Sequence, residues 1–212
     1  MPGIAHPLLF CGTVALIAVT PGPDTLYIVG RTLSQGRRGG LFSVAGIALG
    51  CLTHTLAAAA GLSALLYASA PAFTAVKLLG AAYLVYLGIR LLRARAGKGT
   101  FSDGVRALPA MPPGTILLQG YVTNVLNPKV ALFFLAFLPQ FLDPAAPRRF
   151  AGLLELGLLF TLIGNLWSLV LVGAALPFVR MLRRFPGIEP WIDRATGALF
   201  VGLGLRLALF PR

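Results

Sequence analysis

Thr20-Pro21-Gly22-Pro23-Asp24 in the first half of the chain and Asn127-Pro128-Lys129 in the second interrupt runs of Leu, Val, Phe and Ala, and each ends on a charge. Proline lacks an N–H and clashes with the preceding turn, so a helix passes through such a segment only as two pieces. A charge left at the break, deep in an apolar stretch, is costly unless a partner or a guest uses it. The two breaks are where a bound solute or ion is to be sought.

Outward from the breaks, apolar residues make up 57% of the chain and charged residues 11%, against about 45–50% and about 25% in soluble domains. This composition is that of a membrane protein. At about 20 residues per span, 212 residues hold six spans in a single integral membrane domain over 1–212, with no room for a sizeable soluble one. The net charge of +12 sits in short Lys/Arg segments between apolar runs, which reads as membrane topology and not as a nucleic-acid surface. Met1 to Val19 has no basic segment ahead of its apolar run and Pro21-Gly22-Pro23 is a poor cleavage site, so this stretch reads as a retained first helix. Cys11 and Cys51 both lie in apolar segments and read as packing residues.

The apolar stretches place spans near 5–30, 40–66, 71–92, 115–142, 150–179 and 191–210. Basic residues gather in alternate connections: Arg31, Arg37 and Arg38; Arg90, Arg93, Arg95, Lys98 and Arg106; Arg180, Arg183, Arg184 and Arg194. The positive-inside rule puts these connections in the cytoplasm and both termini outside, with Arg148-Arg149 the one discordant pair. The halves also echo each other. Gly88-Ile89-Arg90-Leu91 matches Gly204-Leu205-Arg206-Leu207 at an offset of 116, Gly46 and His54 match Gly157 and Asn165 at 111, and Pro23-Asp24 matches Pro128-Lys129 at 105. An odd-numbered repeat must invert in the membrane, so the expected fold is all-α: six transmembrane helices as two inverted three-helix repeats. Repeat one covers about 1–95 and repeat two about 112–212, joined by a cytoplasmic linker over about 93–114, with helices 1 and 4 broken at Pro21-Pro23 and at Pro128. Inverted repeats with broken helices are a frequent build of secondary transporters.

Each break has a chemistry of its own. Pro23 suits a first helical position and Asp24 then meets the positive end of the helix dipole; it either caps a half-helix or accepts a cationic group or proton. An acid at that depth costs about 2.5–3.5 kcal/mol on the gentlest insertion scale, which favours a use for it. Asn127 is a strong N-cap and Pro128 again fits the first position, but Lys129 follows where the dipole repels it. It snorkels, pairs with Asp24, or meets the carboxylate of a substrate. If Asp24 and Lys129 face one midplane cavity, the site suits a zwitterion such as an amino acid, with Pro23, Pro128, Asn127 and Asn124 beside it.

Other polar residues carry weaker signals. His54 lies one turn from Cys51 on the small-residue face of Gly46-x-x-x-Gly50, which suits an interhelical hydrogen bond better than a two-ligand metal site. Thr53, His54, Asn165 and Gln119 line a polar path or bridge helices. Trp167, Trp191, Tyr83 and Tyr86 read as packing or interfacial aromatics. Gly97-Lys98-Gly99-Thr100 lacks the spacing of a phosphate loop, and Gly202-x-Gly204 lacks the rest of a dinucleotide fingerprint, so no cofactor is expected.

The residues now assembled resemble the LysE-type translocators, the family of lysine exporters and of threonine and homoserine efflux proteins. The resemblance runs through Thr20-Pro21-Gly22-Pro23-Asp24-Thr25-Leu26, Ser34-Gln35-Gly36-Arg37-x-x-Gly40, Lys77-x-x-Gly80-Ala81-Ala82-Tyr83-Leu84-x-Tyr86-Leu87-Gly88 and Asn124-x-x-Asn127-Pro128-Lys129, with Phe133 and Leu138-Pro139-Gln140-Phe141 after it. It implies a multi-pass exporter of amino acids or close derivatives in the bacterial cytoplasmic (inner) membrane, driven by the proton motive force with the proton as coupling ion, and working as a homo-oligomer. Arg37 and Lys77 match the family pattern and are carried over as gating or topology candidates. Two other readings compete. A metal-cation exporter would need more ligands than Cys51, His54 and Asp24 provide. A membrane-embedded enzyme needs a nucleophile and base or a metal cluster that the sequence does not show, which leaves an assembly factor as the remaining non-transport reading.

Overall fold

Among the described residues, four helices open on a proline, where the missing N–H would have had no partner. The computed structural model describes residues 4–62, 70–93, 109–143, 148–184 and 188–209. α1 spans Pro7–Val19, α2 Pro23–Ala57, α3 Ala70–Leu92, α4 Pro113–Val125, α5 Pro128–Leu132, α6 Arg149–Arg184 and α7 Ile188–Leu209. A π turn, Ala58–Leu62, extends α2; a second π turn, Phe133–Phe137, and a 3-10 turn, Leu138–Phe141, extend α5. Among the described residues the only pairing outside helices is an isolated antiparallel bridge between Ile4 and Leu142. Arg95, Lys98, Arg106 and the Gly97–Thr100 segment lie outside the described residues.

α2 is not one straight rod. Gln35 (φ −128°, ψ 17°) and Gly36 (φ 68°, ψ −171°) leave helical geometry, and the positive φ is one that glycine adopts without a Cβ penalty. Residues eight apart on a helix are about 12 Å apart, yet a Cβ on Gly39 would sit 2.9 Å from the Arg31 carbonyl oxygen and one on Gly40 would strike Thr32 Oγ1. The chain reverses here, and the two arms of α2 form a hairpin. The turn falls where the basic Arg37-Arg38 connection between the first two expected spans was placed.

Both arms pack on α4. The first runs antiparallel to it, with Tyr27 Oη donating to Ile116 O (2.7 Å) and Gln35 Nε2 to Met111 O (2.8 Å). The second runs alongside it, Gly46 against the Leu117 carbonyl and Gly50 against Asn124. Small residues let these backbones approach closely, as they do in membrane bundles generally. The same arm then packs antiparallel on α6, with Gly40 on Val172 and Gly157 on Thr55. α3 and α7 pair in the same antiparallel way: a Cβ on Gly88 would lie 2.6 Å from Gly197 O, and one on Gly204 2.8 Å from Ala81 O.

Beyond the breaks, α1 and the α5 segment continue the antiparallel pairing as far as Ala5 N–H on Phe141 O (2.7 Å). An aromatic cluster fills this end: Phe10 is 5.1 Å from Phe141, and Phe160 stacks 4.8 Å from Phe133. By length and composition, Arg149–Met181 is apolar enough to cross a membrane, and so is Pro23–Gly61, whose two arms fold back at Gly36 and do not form one straight span; the pair Pro113–Val125 and Pro128–Phe141, bent by 46°, qualifies if counted as one span. The chain is thus a helical membrane protein.

Candidate functional site

The two sequence breaks come together. α1 ends at Thr20, whose N–H and hydroxyl both bond back to Leu16 O, and α2 begins at Pro23 behind an extended Gly22. α4 ends at Val125 and α5 begins at Pro128 behind Asn127, whose Oδ1 accepts from Lys129 N at 3.0 Å. That last bond is the N-cap expected of Asn127.

Lys129 is held by a partner that sequence reading did not consider. Its ammonium donates to Ile17 O (3.1 Å) and Thr20 O (2.9 Å), the carbonyl end of α1. A cation is welcome at a helix C-terminus, where four carbonyls lack intrahelical donors. Lys129 is therefore misplaced on its own helix and well placed on the neighbouring one. Gly22 leaves room for it: a Cβ there would meet Lys129 Nζ at 3.2 Å.

Asp24 sits in the first turn of α2 and its Oδ2 accepts from Asn124 Nδ2 at 2.8 Å, while Oδ1 is buried without a hydrogen-bond partner. Asn124 is fully buried. Its carbonyl oxygen, in the last turn of α4, faces His54 Nε2 at 3.3 Å, and the His54 ring stacks on Phe134 (5.6 Å). No ion pair joins Asp24 to Lys129. Each charge has its own polar support, and both line one cavity.

That cavity has a water-accessible volume of about 50 Å³. Its polar lining is Asp24, Asn124 and Lys129 with Asn165, Trp167 and Ser168; its apolar lining includes Val14, Ile17, Ile28, Ile47, Phe160 and Leu171. Among the other residues singled out in the sequence, Pro23 and Pro128 are exposed beside the breaks, and Asn127 is buried beneath them. Thr53 turns outward, bonded to Leu49 O (3.0 Å) and approached by Tyr121 Oη (3.5 Å). Lys77 is half-buried, and Arg37 is exposed just past the hairpin turn.

Gln119 belongs to a second cluster, one that sequence reading missed. Arg31, counted above among the topology charges of a connection, is only 2% exposed. Its guanidinium donates to Gln119 Oε1 (2.9 Å), Pro109 O (2.9 Å) and Gln35 Oε1 (3.1 Å), and it lies 5.5 Å from the centre of the Tyr27 ring. These bonds clamp the first arm of α2 to the start of α4. The available signal was spacing: Arg31 is seven residues after Asp24, hence two turns along the same helix face. Trp167, read as a packing or interfacial aromatic, packs against the core and also lines the cavity, three residues past Gly164.

Comparison with known proteins finds relatives among membrane and efflux proteins. The chain is 30% identical over 210 residues to the uncharacterized membrane protein YrhP of Bacillus subtilis (strain 168), covering 96% of this chain and 99% of that one. It is also 30% identical over 192 residues to the leucine efflux protein of Enterobacter sp. (strain 638), covering 91% and 90%, and 29% identical over 197 residues to that of Salmonella choleraesuis (strain SC-B67), covering 91% and 89%. No solved structure is significantly similar. Residues 15–210 match the LysE type translocator family. By that match and by its helical, apolar build, the chain belongs to the LysE type translocators.

Proposed function

We propose that this protein is a secondary transporter that exports amino acids or close derivatives across the bacterial cytoplasmic membrane, with the proton motive force as its energy source. The observation that carries the reading is the pairing of the two broken helices. It brings a carboxylate and an ammonium to one largely apolar cavity, a charge pattern complementary to a zwitterion. Relatives named leucine efflux proteins cover nine-tenths of the chain and point the same way.

The six-span, inverted-repeat architecture, with both termini outside, belongs to the same reading. Two contacts support it. Gly88 packs on Gly197 and Gly204 packs on Ala81, and the sequence offset of 116 carries Gly88 to Gly204 and Ala81 to Gly197, so the two contacts exchange as a two-fold axis requires. The antiparallel pairing of α1 and the first arm of α2 with α4 and α5, break beside break, has the same sense. Repeat one over about 1–95 and repeat two over about 112–212 form one membrane domain.

Cells loaded with a panel of amino acids, with and without the protein, test the function. Retention of one or more amino acids should fall when the protein is made. Asp24→Asn and Lys129→Ala should each abolish most of that effect. Unchanged rates in both variants would remove the charge-pair site, and no effect on any amino acid would remove the transporter reading.

A further inference from the structure

The polar groups around the cavity do not balance among themselves. Asp24 Oδ1 and Asn124 Oδ1 are buried acceptors without a donor at hydrogen-bond distance, and Asn127 Nδ2 and the indole N–H of Trp167 are buried donors without an acceptor. Asp24, Asn124 and Trp167 line the cavity. Buried polar groups are nearly always satisfied, and those left over mark where a guest's polar atoms fit best. Lys129 has three donors, of which α1 takes two. A guest with a cationic end for Asp24 Oδ1 and Asn124 Oδ1 and an anionic end for Trp167 and Lys129 satisfies the members of this set that line the cavity.

The wall beside Trp167 is unusual in a second way. A Cβ on Gly157 of α6 would collide with Thr55, so that glycine serves helix packing; a Cβ on Gly164 would meet no atom within 4 Å. Gly164 is not required by packing, and it lines the cavity. Its bare surface is open space one turn from the indole. Ile17, Ile28, Ile47, Phe160 and Leu171 complete the walls, and no lining residue besides Asp24 and Lys129 is charged. A second charge on a guest would be desolvated there without a partner, whereas an aliphatic group gains by burial.

We propose that Trp167 and Gly164 determine what this cavity carries. The indole N–H positions the carboxylate of the cargo, the space over Gly164 receives its side chain, and the cargo is a neutral amino acid with an aliphatic side chain. The inference rests on amino-acid export as proposed above, with Asp24 holding the ammonium.

Counterflow exchange of labelled leucine by the purified full-length protein in liposomes tests it. Leucine, alanine, lysine, glutamate and 3-methylbutylamine, which is leucine without its carboxylate, serve as competitors. Trp167→Phe keeps the ring and removes the N–H. It should raise the half-saturating concentration of leucine about tenfold, as the loss of one charge-assisted hydrogen bond does, and leave the weaker competition by 3-methylbutylamine unchanged. Gly164→Val should shift preference from leucine towards alanine by about tenfold, the discrimination a methyl or two gives in an apolar pocket. Gly164→Ala should make a smaller step the same way, and matching elution profiles in detergent show that the variants fold. Equal losses for leucine and the amine in Trp167→Phe, equal losses for leucine and alanine in Gly164→Val, or lysine competing as well as leucine would overturn the proposal. Absence of any amino-acid exchange by the wild type would instead overturn the export reading itself.

Discussion

Replacing Gly50 by alanine puts a methyl group into the side chain of Asn124, which donates to Asp24. The new Cβ would lie 2.6 Å from Asn124 Oδ1, 2.8 Å from its Cβ and 3.0 Å from its Cγ. Asn124 is fully buried at the end of α4, so it cannot retreat to solvent. It must rotate, or α2 and α4 must part, and either change breaks the 2.8 Å bond to Asp24. Overpacking of this kind costs about 1–3 kcal/mol, and an interhelical hydrogen bond in a membrane bundle is worth about 0.6–1.7 kcal/mol. Alanine returns up to about 1 kcal/mol through its helix propensity. The net expectation is a loss of about 1–4 kcal/mol, with a matching fall in export. The same substitution at Gly164, where the methyl meets open space, should be neutral or gain up to about 1 kcal/mol. Helicity followed through SDS titration of the purified protein in mixed micelles measures both. A Gly50→Ala variant as stable as the wild type, or a Gly164→Ala variant that loses as much, would refute the argument from shape.

Further consequences can be measured. Lys129→Met keeps the length of the side chain but strips both donors from the end of α1, and should lower stability by about 1 kcal/mol or more in the same titration while export collapses; an unaltered unfolding curve would mean the carbonyls of Ile17 and Thr20 find water instead. Tyr27→Phe removes the donor to Ile116 O and should cost about 0.5–1.5 kcal/mol; a gain in stability would contradict the clamp. Gln35→Cys combined with Met111→Cys joins the two segments that the Arg31 cluster already holds together. If the helices around the cavity separate at this end to load cargo, oxidation of the double variant stops export and reduction restores it; full export by the cross-linked protein would place the opening elsewhere.

Local chemistry made part of the site legible without a structure. Pro23 and Pro128 each start a helix, Asn127 caps one, and Asp24 lies in a first turn, because each of these is decided within three or four residues by the backbone itself. His54 as an interhelical hydrogen-bonding residue was legible too, from the glycine face it shares with Gly46 and Gly50. Lys129 was not. Its position looks electrostatically wrong from its own helix, and only the approach of α1, more than a hundred residues earlier in the chain, supplies the carbonyls that hold it. Arg31 was misplaced for a related reason: counting charges between apolar runs assigns it to water, whereas the hairpin at Gln35-Gly36 returns the chain soon enough to bury it against Gln119 and Met111.

The sequence alone determined the class of molecule and the two breaks. Composition sets which solvent the chain must satisfy, and proline sets where a helix cannot continue. Tertiary structure decided which breaks meet, which end of which helix each charge faces, and that Trp167 and Gly164 share a cavity with Asp24. Those outcomes depend on distances between segments remote in the chain, fixed by where glycine lets two backbones touch.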